Sequence, residues 1–122
     1  MTVWVELCVS EFFDALLTHP QATSPQIDAV RKFWTHARQA LGKKVKKPGM
    51  CFQGGVLSFT WTLCGVGYLE VEFHNNGDFS WFFKDRVTKN YSGCDPEPLT
   101  DSAMKTVCDY LARDPEYASE TK

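Results

Sequence analysis

The sequence predicts an α+β domain. Its expected sheet is an antiparallel meander of three to four strands, with two N-terminal helices and one C-terminal helix packed on one face. Three observations carry this. Apolar spacing is close to 3.6 residues up to Gly42, changes to two between Val56 and Lys84, and returns to helical spacing after Thr100. Turns rich in Gly and Asn separate the alternating runs. The chain has 122 residues, enough for one sizeable core and too few for two. Residues 1–122 therefore read as a single domain, with a polar, frayed tail expected over residues 114–122.

Residues 3–17 place Val5, Cys8, Val9, Phe12 and Leu16 at helical spacing. Val3, Val5, Leu7 and Val9 also alternate as a strand would, and helix is the favoured reading. His19 precedes Pro20, and a residue before proline avoids the helical region, so the helix ends there. The second helix is better signalled. Ser24 is a suitable N-cap, Pro25 fits the first turn, and Asp28 lies near the positive helix end. Ile27, Val30, Trp34, Ala37 and Leu41 form its apolar stripe, and Gly42 is placed to end it.

In Val56–Leu63 the residues Leu57, Phe59, Trp61 and Leu63 alternate with Ser58, Thr60 and Thr62. Residues 68–74 offer Leu69, Val71 and Phe73, and residues 79–84 offer Phe79, Trp81 and Phe83. Each run reads as a half-buried antiparallel strand. The Asn75-Asn76-Gly77 turn selects a register. A two-residue Asn-Gly loop would set Phe73 opposite Ser80 and mix the two faces. A three-residue loop with Gly77 left-handed sets His74 opposite Asp78, and then Phe73 faces Phe79, Val71 faces Trp81 and Leu69 faces Phe83. This register puts all six apolar side chains on one face, so it is chosen. Residues 85–90 read as a turn and residues 89–93 as a short fourth strand, after which Pro96 and Pro98 are expected to break regular structure. Thr100 or Asp101 starts a last helix with Ala103, Met104, Val107, Cys108 and Leu111 on its buried side.

Composition narrows the function classes. The formal net charge of −2 is not that of a general phosphate-backbone binder, which usually carries a basic excess. Residues 48–69 are uncharged but alternate and contain five Gly, so they read as a loop and a strand rather than a membrane span. The first twenty residues lack the basic start of a secretory signal. Five cysteines, an odd number with no CxxC spacing, fit reduced thiols in a cytoplasmic protein. Cys8 and Cys108 sit among apolar neighbours and read as small core residues. No phosphate loop, dinucleotide fingerprint or Gly-x-Ser-x-Gly context occurs. No cofactor, metal site or catalytic residue is therefore predicted.

The chosen register leaves a second, outward face. Tyr68 stands opposite Lys84, Glu70 opposite Phe82 and Glu72 opposite Ser80, with His74 on the same side. Aromatic rings among charges have the composition of an interface. The expected binding surface is Tyr68, Glu70, Glu72, His74, Phe82 and Lys84, and the expected partner is a protein or a second copy in a homodimer. Two other readings compete. Glu70, Glu72 and His74 could serve a small enzyme as acid and base. They stand about 6.5–7 Å apart along the strand, which does not suit convergence on one metal ion. Lys43, Lys44, Lys46 and Lys47 close a run of seven cations without an acid over residues 31–47 and could meet nucleic-acid phosphates. Most aromatics are expected inward and so do not offer base stacking, which places nucleic acid behind a protein partner.

Gly55, Leu57, Trp61, Leu69, Glu70, Glu72, Gly77, Trp81 and Asp85 together form a pattern. It is a glycine before a strand ending in Trp, a Leu-Glu-x-Glu strand, a glycine turn and an aromatic strand. This resembles a loose group of small bacterial α+β proteins encoded among mobile-element and gene-cassette genes. The resemblance implies an accessory role, such as modulating another protein, and implies no particular activity. The leading reading is a non-enzymatic protein-interaction module.

Overall fold

A computed structural model describes residues 22–42 and 48–114. Its elements are α1 (Ser24–Leu41), β1 (Gly49–Gln53), β2 (Val56–Leu63), β3 (Gly67–Phe73), β4 (Phe79–Asp85), β5 (Tyr91–Glu97) and α2 (Asp101–Leu111). The five strands form one antiparallel sheet in the order β1-β2-β3-β4-β5. The expected helix over residues 3–17 lies outside the described residues, as do Cys8, Lys43, Lys44, Lys46 and Lys47.

Helix α1 begins one residue earlier than its sequence signals. Thr23, not Ser24, is the N-cap. Its hydroxyl accepts from the Gln26 N–H at 3.3 Å, while the Gln26 side chain accepts from the Thr23 N–H at 3.4 Å. This reciprocal capping box satisfies two N–H groups that the helix end would otherwise leave bare. Gly42 ends the helix at φ +80°, with its N–H donating to the Arg38 carbonyl. The buried stripe is Gln26, Ala29, Val30, Phe33, Trp34 and Ala37. It is rotated from the expected stripe, because Ile27 and Leu41 are only partly buried and Phe33 is fully buried.

The expected hairpin register is present. Phe73 pairs with Phe79, Val71 with Trp81 and Leu69 with Phe83. The His74 N–H donates to the Asp78 carbonyl at 2.9 Å and Gly77 has φ +91°, which closes the three-residue loop. Leu57, Phe59, Trp61, Leu63, Leu69, Val71, Phe73, Phe79 and Phe83 are buried on the inner sheet face. Phe33 reaches the Phe73, Phe79 and Trp61 rings at 5.7, 5.9 and 6.4 Å between centroids. On α2 the stripe Ala103, Met104, Val107, Cys108 and Leu111 is buried as expected, and Thr100 caps the helix by accepting from the Ala103 N–H. Tyr110 stacks on Phe83 at 4.1 Å and lies 5.4 Å from Trp81, which docks α2 over β4. Both described helices therefore cover the inner face.

Two strands differ from expectation. Residues 49–53 form β1 rather than a loop. Only Met50 and Phe52 share the inner face there, and Met50 is 41% exposed, so this edge strand carries little alternation to read. The fourth expected strand is displaced: β5 runs from Tyr91 to Glu97 and contains Pro96. A proline without an N–H is compatible with an edge strand, where one side of the ladder has no partner. A register irregularity opposite Phe79 and Trp81 accommodates it. Asp114 is buried, and its carboxylate accepts from the Cys64 N–H at 3.3 Å.

Candidate interaction surface

Alternation along β2, β3 and β4 sends one side chain in two away from the helices. The register then fixes their neighbours in rows across the sheet. Thr60, Glu70, Phe82 and Gly93 form a central row. On one side lies the row Thr62, Tyr68, Lys84 and Tyr91, and on the other lie Ser58, Glu72 and Ser80. All six residues expected on this face are there.

Three rings zigzag across it, Phe82 stepping one row away from Tyr68 and Tyr91. Tyr68 meets Phe82 edge-to-face at 6.4 Å, and Phe82 meets Tyr91 at 5.3 Å. The Lys84 ammonium lies 5.5 Å from the Tyr91 centroid. Phe82 is 37% exposed and Tyr91 63%, far more than the rings of the inner face. Tyr91 escaped the sequence reading because the expected strand ended at residue 93 and had no register against β4. A register extended from Lys84 across the turn would have found it.

The carboxylates are each engaged. The Tyr68 hydroxyl donates to Glu70 at 2.8 Å. Burial, then that bond and the negative charges of Glu70 and Glu72, push the Tyr68 phenol up to about 12. It is therefore a standing hydrogen-bond donor and not a base at neutral pH. Ser80 donates to Glu72 at 3.0 Å, and His74 Nε2 lies 3.0 Å from the Ser80 hydroxyl. Ser80 has one proton, and an ionised carboxylate can only accept. Both bonds coexist when the Ser80 hydroxyl donates to Glu72 and His74 Nε2–H donates to the Ser80 oxygen. Ser80, expected only as the residue opposite Glu72, thus joins His74 to Glu72. It is 4% exposed, so its hydroxyl lies within this file of hydrogen bonds.

An open groove of about 500 Å³ runs between β3 and β5, with Glu72, Phe82, Tyr91 and Asp95 among its walls. A second, of about 320 Å³, lies at the turn end beside Tyr68, Lys84, Arg86 and Lys89. Among the described residues, no three His, Cys, Asp or Glu side chains gather as a metal-binding group. No described helix is long and apolar enough to cross a membrane. Cys51, Cys64, Cys94 and Cys108 are free thiols. Burial pushes the Cys108 thiol up to about 12 and raises that of Cys94, which leaves both poor nucleophiles.

A scan against family models and searches of curated proteins and of solved structures found no match to this chain.

Proposed function

We propose that the chain is a non-enzymatic protein-interaction module, of the kind encoded by accessory or mobile-element genes, acting in the cytoplasm. Its binding surface is the outer sheet face. One observation carries this reading: the exposed rings of Phe82 and Tyr91, with the half-buried Tyr68 against Phe82 and charged side chains around them, lie on the face opposite both described helices. Aromatic rings supply large contact area at small entropic cost, and charges around them set orientation. The hydrogen bonds of Glu70, Glu72 and His74 hold this face in one shape, which favours binding by reducing what must be ordered on contact.

A photo-crosslinking residue tests this in cells. Phe82→benzoylphenylalanine is expected to form a protein adduct, and Asp109→benzoylphenylalanine, on the exposed side of α2, is expected to form none. Equal adducts at both positions, or none at position 82, would overturn the assignment.

A further inference from the structure

The outer face is segregated by charge along the strand direction. Toward the β4–β5 turn stand Lys84, then Arg86 and Lys89, while the Asp85 carboxylate beside them turns back to accept from the Val87 and Thr88 N–H groups. Away from it stand Glu72 and Asp95, with Asp78 beyond, where its carbonyl accepts from the His74 N–H. Lys84 forms no ion pair among the described residues, and its ammonium lies over Tyr91 instead. Between the two ends runs the central row Thr60, Glu70, Phe82 and Gly93.

We propose that this face binds a second copy of the chain, about a two-fold axis that lies along this central row. The inference rests on the outer face being the interaction surface, and it names the partner. A two-fold contact sets the same patch against itself, so the patch must be self-complementary. Rotation about an axis along the strands would lay acid on acid and base on base. Rotation about the row across the strands exchanges the two ends. Lys84 then lies over the second copy's Ser80, between the second copy's Glu72 and Asp95, and the same contact recurs by symmetry. The Phe82 rings meet on the axis.

The area suits a reversible dimer. Five strands at about 4.8 Å and seven residues at about 3.4 Å give a footprint of about 24 by 24 Å, or about 1,100 Å² for both copies. That is the small end for a specific interface. Glu70 also meets its own copy on the axis, which holds the affinity down.

Sedimentation velocity on the purified chain over a concentration series tests the proposal, with thermal melts confirming that each variant folds. Wild type is expected to show reversible dimerisation. Lys84→Glu and Glu72→Lys should each lower the association constant at least about tenfold, since like charges then face each other twice. Mixing these two single variants should restore association as a heterodimer, because every Lys of one copy then faces a Glu of the other. Glu70→Gln should tighten the wild-type dimer. A chain that stays monomeric at every concentration overturns the proposal, and so does a dimer indifferent to the single reversals or two variants that fail to rescue each other. If the purified chain is monomeric while the residue-82 crosslink captures a different protein, the second-copy proposal fails and the interaction surface stands.

Discussion

The Gln26 side-chain amide donates to the Phe73 carbonyl at 2.7 Å, 47 residues away, and the glutamine is completely buried. The same nitrogen donates to the Gly55 carbonyl at 3.1 Å. Beside it the Thr23 hydroxyl donates to the Asn75 carbonyl at 2.6 Å. The first turn of α1 is thereby fastened to the end of β3, to the β1–β2 turn and to the β3–β4 turn. Gln26→Leu keeps the volume but takes this donor from the buried Phe73 carbonyl and from the part-buried Gly55 carbonyl. It is expected to lower unfolding free energy by about 1–3 kcal/mol in urea titration, the cost of leaving a buried carbonyl unsatisfied. An unchanged denaturation midpoint would refute this role.

Phe33 is the centre of the inner aromatic cluster, touching rings from α1, β2, β3 and β4. Phe33→Ala removes a fully buried ring from a site hemmed in by strands that cannot collapse into the space. The expected loss is about 3–5 kcal/mol. Phe82→Ala, on the exposed face, is expected to cost much less by the same measurement.

Tyr68 supplies a pH dependence. Its phenol titrates near 12 in the folded chain against 10.0 for an ordinary tyrosine, chiefly through burial and then through Glu70. Below pH 10 both folded and unfolded chains hold the proton, and the stability is intact. Between about pH 10 and 12 the unfolded chain releases it first, so stability falls as pH rises through that window. The Tyr68→Phe chain should lose less stability than wild type over the same range. Parallel loss in both chains would show that Tyr68 is not responsible.

Thiol reactivity should separate the cysteines by place. Cys51 and Cys64 are exposed, whereas Cys108 is buried with its thiol pushed up to about 12. Brief alkylation of the native chain, mapped by mass spectrometry, should label Cys51 and Cys64 and spare Cys108 until denaturant is added. Labelling of Cys108 at the rate of Cys64 would contradict the packing of α2.

Gly67 opens β3 where no side chain fits: a Cβ there would lie 2.2 Å from the Lys84 carbonyl oxygen. Backbone on a neighbouring strand cannot yield as a flexible side chain can. Gly67→Ala should therefore destabilise the sheet and displace Lys84, which weakens self-association as well. A chain with wild-type melting temperature and association would show that the strands part easily here.

Much of this architecture is legible in the residues themselves. The inner and outer faces of β2, β3 and β4 follow from alternation, and their mutual register follows from where Gly77 can turn. The stripe of α2 is legible for the same reason, since its five apolar residues recur at helical steps. Six outer-face residues were consequently identifiable without coordinates. The glutamine at position 26 was not, because a polar residue in a helix reads as solvated unless its distant partners are known. Ser80 was equally silent: its link between His74 and Glu72 depends on side-chain directions across a strand pair.

Sequence by itself thus determined the periodic elements, the β3–β4 register and the division of most rings between core and surface. These are set by local backbone geometry, which repeats every two or 3.6 residues and is recorded in neighbouring positions. Tertiary structure decided the rest. It made an edge strand of residues 49–53, drew β5 past Pro96, and extended the exposed aromatic row to Tyr91. Edge strands are held largely by backbone pairing to one neighbour, and backbone pairing leaves little trace in side-chain identity. Tertiary structure also set both described helices on one face, and that choice leaves the rings of Tyr68, Phe82 and Tyr91 on the opposite side, available to a partner.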